Sequence, residues 1–496
     1  MKSSSTSRLR PNHYFLRAAT CLLISLCSLI YGIRAQDLFQ PSWNSLSHYR
    51  TPDWYRDAKF GIFIHWGVYS VPAFGSEWYP RNMYQQGSDE FKHHREVYGD
   101  QSKFGYKDFI PKFKAEKFNP EHWAAIFKRS GAKYIVPVAE HHDGFAMYRT
   151  NLSKWNAFNM GPRRDVIGEL AAAVRKQGLV FGLSSHRIEH WFFMNTGRGY
   201  NSDIGDPAYS DFYGPARNEK DSLTTEYMND WLLRCTELVN KYKPQVFWFD
   251  WWIEQPSMEP YRKSFASFYY NQGLAWNKGV VLNFKNKSFP DSAAVLDLER
   301  GKLEGIRNLA WQTDDAVGFK SWGYIQGEKY KSVQYLVDEL VDIVSKNGNL
   351  LLNIGPRSDG TIPEEQEKLL LGIGHWLSIN GEAIYGTRPW KIFGEGPTEN
   401  IGGSFIDEKV KSFTAQDIRF TSKKNKVYAI LLAVPAKGET ITIKSLSASA
   451  GCIVLNVRLL GSPAKISWAQ KEEGLVIQPL KDYPSNEAIS FEIGIR

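Results

Sequence analysis

The strongest constraint on how this 496-residue chain can fold is an alternation that runs from residue 59 to about 390. Short apolar runs are separated by segments whose apolar residues recur every three to four positions. The runs are KFGIFIHWG (59–67), AKYIVPVAEHHDG (132–144), LVFGLSSH (179–186), QVFWFDWW (245–252), GVVLNF (279–284), LAWQTD (309–314), NLLLNIGP (349–356) and AIYGTRP (383–389). Between them, NPEHWAAIFKRSG (119–131) opens with an Asn cap and a proline suited to a first helical turn. DVIGELAAAVRKQG (165–178) runs from an Asp cap to a glycine stop. The same periodicity covers 222–243, 332–348 and 363–381. Parallel strands need helical crossovers and are covered on both faces, so eight such runs predict an α/β chain with a (β/α)8-like barrel over residues 36–392. A doubly wound open sheet is the rival, but no G-x-G-x-x-G turn follows the first strand. From about Phe393 the texture changes to alternating strands such as KVYAILLAV (426–434), ETITIKSL (439–446), CIVLNVRLL (452–460) and AISFEIGI (488–495). These predict a C-terminal antiparallel β-sandwich over 393–496, with GEGPTENIGGS (394–404) as the linker.

The N-terminus carries Lys2, Arg8, Arg10 and Arg17, then AATCLLISLCSLIYG (18–32), then small residues near Ala35. An apolar run this short falls below the roughly 20 residues that span a bilayer, so residues 1–35 read as a cleaved secretory leader rather than an anchor. Cleavage leaves no membrane span and places the protein outside the cell or in a periplasm. The formal charge is +8, and residues 1–35 hold five basic and no acidic side chains, so the mature chain carries +3. That balance argues against a nucleic-acid partner. Only Cys235 and Cys452 remain after cleavage, which excludes a disulfide framework.

In a barrel, chemistry gathers where the strands end. The first run ends at His65 and Trp66, the second at Glu140, His141, His142 and Asp143, the third at His186 and the fourth at Asp250. Asp250 lies within QVFWFDWWIE, where an ionised carboxylate is costly unless it is paired or used. The histidines allow three readings: a metal site with Asp250, hydrogen bonding within the core, or contacts to the hydroxyls of a sugar. Adjacent side chains on a strand point to opposite faces, so His141 and His142 could not serve one ion without a break in the strand. Aromatic residues make up 14% of the chain, and flat aromatic faces are one way of holding sugar rings.

The segments KFGIFIHWGVYSVPAFGSEWY (59–79), AEHHDGFAMY (139–148), WNAFNMGPRRDVIGELAAAVRKQGLVFGL (155–183), VFWFD (246–250) and NGNLLLNIGPRSDGTIP (347–363) together resemble the α-L-fucosidases of glycoside hydrolase family 29. The resemblance implies a (β/α)8-like catalytic domain followed by a β-sandwich, and hydrolysis with retention of configuration. It makes Asp250 the nucleophile. His65, Glu77, Trp78, His141 and His142 match positions that hold the fucose hydroxyls, and Trp248 matches an aromatic of the sugar pocket. His186, in SSHRIEHW, lies in a variable stretch and joins the substrate-binding residues. Trp322, in KSWGY, matches the position beside the fucose methyl group.

The acid/base lies where relatives differ most. LNFKNKSF (282–289) stands in place of an N-D-R-W-G motif, whose arginine is therefore missing. Downstream, VLDLERGKLEGIRNLAWQTD (295–314) offers Asp297, Glu299 and Glu304. The resemblance implies an acid at about this distance before a Trp-acid or Trp-Gln pair, which favours Glu299, 12 residues before Trp311 and expected on a loop, with Glu304 second. The resemblance implies fucosylated oligosaccharides or glycoconjugates as substrates, with no cofactor and no metal. A metal-dependent barrel hydrolase and a non-catalytic fucose-binding protein are the alternatives.

Overall fold

The computed structural model describes residues 38–407 and 412–496, so the leader expected at 1–35 lies outside the described residues. Eight parallel strands close a barrel: β1 (Phe60–Ile64), β2 (Tyr134–Glu140), β3 (Val180–Ser185), β4 (Val246–Phe249), β5 (Val281–Phe284), β6 (Val295–Glu299), β7 (Trp311–Ala316) and β8 (Gly348–Ile354). Closure is made by β1 against β8, with Phe60 opposite Leu350 and Ile64 opposite Ile354. The principal helices around it are α1 (Pro120–Arg129), α2 (Val166–Lys176), α3 (Thr225–Tyr242), α4 (Glu259–Ala275), α5 (Val333–Ser345) and α6 (Glu364–Asn380). The expected caps form: Asn119 accepts from the His122 N–H at 3.0 Å, and Asp165 accepts from the Gly168 N–H at 3.1 Å.

The count of eight strands is right, but one assignment is not. VLDLE (295–299) forms β6, which the sequence reading passed over because it alternates apolar and acidic residues and has no helix on either side of it. The run at 383–389 supplies no barrel strand. Its last residues begin β9 (Arg388–Glu395), an edge of the C-terminal sheet that spans the position where the sequence changes texture.

The C-terminal strands form a five-stranded antiparallel sheet, ordered β13-β16-β11-β10-β9, and a three-stranded one, ordered β12-β15-β14. Here β10 is Ile418–Lys423, β11 Lys426–Leu431, β12 Ile441–Ile443, β13 Val454–Leu459, β14 Trp468–Lys471, β15 Gly474–Ile477 and β16 Ile489–Ile495. Phe420, Leu431 and Phe491 of the larger sheet share one apolar core with Ile443 and Ile477 of the smaller. Period-two alternation produces this, since each strand turns one face inward. Arg419 of β10 is buried against α5, with its Nε 2.6 Å from Asp342 Oδ1. Cys235 and Cys452 are both free thiols.

Candidate active site

The ends of β1 to β6 deliver side chains to one cavity of about 380 Å³, and β7 adds Asp314. All ten residues singled out in the sequence line it: His65, Glu77, Trp78, His141, His142, His186, Trp248, Asp250, Glu299 and Trp322. Glu304 does not; it is exposed, and its backbone carbonyl accepts from Asn400.

The local chain explains how neighbouring histidines share a cavity. Pro137 of β2 has no N–H to give the ladder, and the β2–β3 register shifts between Val138 and Glu140. The strand stops at Glu140, so His141 and His142 lie in a turn that Gly144 completes at φ +79°. The rule that adjacent residues face opposite ways holds only inside a strand.

Asp250 follows β4 and is held by three cations or donors. His186 Nδ1 lies 2.9 Å and His142 Nε2 3.4 Å from its Oδ2, and Lys285 Nζ is 3.6 Å from its Oδ1. Burial by itself would raise this carboxyl's pKa. Lys285, His186 and the two imidazole hydrogen bonds outweigh it and hold Asp250 well below the usual carboxylate range. Trp248, which the sequence places two residues earlier, donates its indole N–H to Asp297 at 3.0 Å beneath the cavity, and Gln312 donates to the same carboxylate. Both bonds reach its Oδ2.

Glu299 is the last residue of β6 rather than a loop residue. Its Oε2 accepts from Lys285 Nζ at 2.6 Å and from the Trp251 indole at 2.5 Å. Lys285 also reaches Asp314 at 3.1 Å. Burial would strip the lysine's proton, but Asp314, Glu299 and Asp250 hold it on and push its pKa up. Burial and the nearby Asp297 in turn push Asp314 well above the usual range.

The remaining groups are oriented from outside the cavity. Asn353 of β8 accepts from His65 Nδ1 at 2.7 Å, which fixes that ring. Burial holds the pKa of both His65 and His141 well below the ordinary imidazole value, so they are neutral. Glu77 accepts from Ser321 Oγ at 3.1 Å and from the Trp322 N–H at 2.9 Å, although burial still raises its carboxyl. Trp322 packs under the Arg300 guanidinium, 4.9 Å from the ring centre. His142 is lowered by burial but raised more by Glu189 and Asp250, to about 9; burial and then the charges of Asp250 and Glu299 raise Glu189 to about 8.

Nitrogens of His65, His141 and His186 come within 4.8 Å of one another, as do ligand atoms of His142, His186 and Asp250. His186, common to both groups, has each ring nitrogen engaged, one with Asp250 and the other with Ser184 Oγ at 3.0 Å. A metal would have to break one of those bonds.

The family described as Alpha-L-fucosidase matches residues 29–382, and the one described as Alpha-L-fucosidase C-terminal domain matches 411–491. The chain belongs to the α-L-fucosidase family. It is 33% identical to a tissue α-L-fucosidase of Macaca fascicularis over 485 residues, covering 94% of each chain, and 32% identical to the human plasma α-L-fucosidase, covering 89% of this chain and 88% of that one. Among solved structures it resembles the Thermotoga maritima α-fucosidase in complex with fucose, with a TM-score of 0.73, 33% identity, and coverage of 92% of this chain and 100% of that one. Lys285, just past β5 in LNFKNKSF, sets its ammonium between Asp250 and Glu299.

Reasoning from the sequence missed Lys285, Glu189, Trp251, Arg300, Asp314 and Phe405, all of which line the cavity. Lys285 was within reach of the strand-end test, which stopped at the fourth strand. Trp251 lay in the quoted Trp-rich stretch itself. Phe405 carried no signal, because it arrives from the long connection between β9 and β10 of the C-terminal sheet.

Proposed function

We propose that Asp250 is the nucleophile and Glu299 the acid/base of a retaining exo-glycosidase that hydrolyses α-L-fucosidic linkages of glycans. The observation that carries this reading is Lys285 Nζ, 3.6 Å from Asp250 Oδ1 and 2.6 Å from Glu299 Oε2. Those two oxygens can be no further apart than the two reaches laid end to end. That limit falls short of the roughly 6.5–9.5 Å found when a water must fit between the carboxyls, and it accommodates the roughly 5–5.5 Å of enzymes that form a glycosyl-enzyme.

In the first step, ionised Asp250 bonds to C1 of the fucosyl residue while the glycosidic C–O bond breaks. Glu299 hands its proton to the departing oxygen. Both Lys285 and Trp251 engage Oε2, so Oε1 is the atom left to carry that proton. Ester formation removes the charge of Asp250 from around Lys285. In the second step water bonds to C1 as Glu299 takes its proton, and the C1–O bond to Asp250 breaks, which frees fucose and restores the carboxylate. Neutral His65 and His141, with Glu77 and Trp78, hold the sugar hydroxyls. Trp322 supplies the apolar wall for a sugar that lacks a hydroxyl at C6, and packing there disfavours sugars that carry one. With the leader removed, the enzyme acts outside the cell or in a periplasm on fucosylated oligosaccharides. Among the described residues no helix is long and apolar enough to cross a membrane.

The test is turnover of an aryl α-L-fucoside followed by NMR, with the α-anomer of fucose formed first. Asp250→Asn should cost at least about 1,000-fold in kcat, or about 4 kcal/mol of barrier. Dialysis against a chelator should leave the wild-type rate intact. A loss reversed by zinc would instead place an ion among the histidines.

A further inference from the structure

We propose that Phe405, stacked beside Trp251, forms the platform on which the leaving sugar rests, so that a residue from beyond the barrel sets the preference for what fucose is attached to. The inference rests on the assignment of Glu299 as the group that protonates the glycosidic oxygen, because the leaving sugar must lie against whatever flanks that carboxyl toward solvent.

Phe405 is 53% exposed, unusual for a residue so firmly placed. Its N–H donates to the Glu299 carbonyl at 2.9 Å, and the next residue, Ile406, donates to the Arg300 carbonyl at 2.9 Å. Two residues earlier, Gly403 and Lys302 exchange backbone bonds of 2.9 and 3.0 Å. Two residues later, Asp407 pairs with Arg300 at 2.9 Å and Lys331 at 3.3 Å. Phe405 itself has φ +55°, a left-handed conformation that non-glycine residues adopt at a cost. Folding gains little from holding a large apolar side chain half in water in such a conformation. The segment is fixed so that the ring stands where it does.

Where it stands is beside the reacting bond. The planes of Phe405 and Trp251 are inclined by 17° with centroids 6.3 Å apart, and both rings line the cavity. Trp251 touches Glu299 through its indole N–H, and Phe405 is bonded to the backbone of the same residue. Nearly parallel aromatic faces suit the apolar C–H face of a pyranose, which they bind with little demand on its hydroxyl pattern. The ligand is therefore a hexopyranose in the leaving position.

The experiment compares two substrates with the same fucosyl group: α-L-fucosyl fluoride, which has no leaving sugar, and a fucosyl disaccharide. In Phe405→Ala the ratio of kcat/KM for the disaccharide to kcat/KM for the fluoride should fall about five- to tenfold below wild type, with most of the change in KM. Phe405→Tyr, which keeps a flat ring, should restore the ratio and shows that the loss is not one of folding. An unchanged ratio in Phe405→Ala, or an equal fall in Phe405→Tyr, overturns the platform. A wild-type chain idle on both substrates overturns the assignment of the reaction itself, and the platform with it.

Discussion

A carboxylate flanked in sequence by Phe249 and Trp251 would ordinarily surrender its charge, and Asp250 keeps it because its neighbours in space differ from its neighbours in sequence. His142, His186 and Lys285 come from the ends of β2, β3 and β5, which no local reading of QVFWFDWW contains. The choice between Glu299 and Glu304 has a direct kinetic expression. A poor leaving group cannot depart unprotonated, whereas an acidic phenol nearly can. Glu299→Ala should lose much more activity on a natural fucosyl linkage than on such an aryl fucoside, about 100-fold or more, and azide should restore turnover with a fucosyl azide of retained configuration. Glu304→Ala should match wild type on both substrates. A second residue-scale prediction concerns Glu189 and His142. Both are raised, Glu189 from the usual 4.5 to about 8 and His142 from 6.5 to about 9. A group raised on folding contributes stability in full below its unfolded value and loses it as pH climbs through the folded one, so both lose stability on the alkaline side. The melting temperature of Glu189→Gln should therefore fall less between about pH 5 and 9 than that of wild type, as read by calorimetry across that range.

At the scale of single elements, the sequence reading was strongest where apolar runs are long and weakest where they are short. β2 and β8 are buried at every position and were plain to see. VLDLE was not, since Glu299 faces the cavity and Asp297 the barrel interior beneath it, and the two acids mimic the pattern of an exposed segment. The reading that placed Glu299 on a loop failed for that reason, although it chose the right residue to line the cavity. The turn after β2 shows the converse: a strand rule argued against His141 and His142 meeting, and a proline followed by a register shift removed the strand. Gly144 holds that turn. A methyl group there would sit 2.6 Å from His190 Cε1, and His190 Nδ1 is bonded to the His142 carbonyl at 2.7 Å. With φ at +79° as well, Gly144→Ala should cost more than about 1 kcal/mol of stability and lower kcat/KM by displacing His142, which urea denaturation and turnover of an aryl fucoside would measure.

Across the whole molecule, the barrel and the C-terminal sheets are joined by buried charge as well as by chain. Arg419 and Lys346 share Asp342, whose carboxyl they hold well below the ordinary range against the opposing effect of burial. Arg419→Ala leaves that acid with Lys346 alone and should cost about 3 kcal/mol, seen as a lower denaturation midpoint, with kcat/KM of the folded enzyme close to wild type. Composition and motif order made the fold class, the two kinds of sheet and most of the cavity legible in the sequence. They could not reveal contacts such as this one, because nothing in the local texture of RFTSK says which helix its arginine will meet.

The bonds from Gly403, Phe405 and Ile406 to the end of β6 also impose an order in time. A chain emerging from the ribosome completes the barrel's eight strands, with Asp250 after β4, well before residue 403 appears. Until it does, the backbone of Glu299 lacks the partner that secures it at the cavity mouth. Each newly made molecule thus closes its barrel, with Glu299 already held by Lys285 and Trp251, before Phe405 arrives beside it at the cavity mouth.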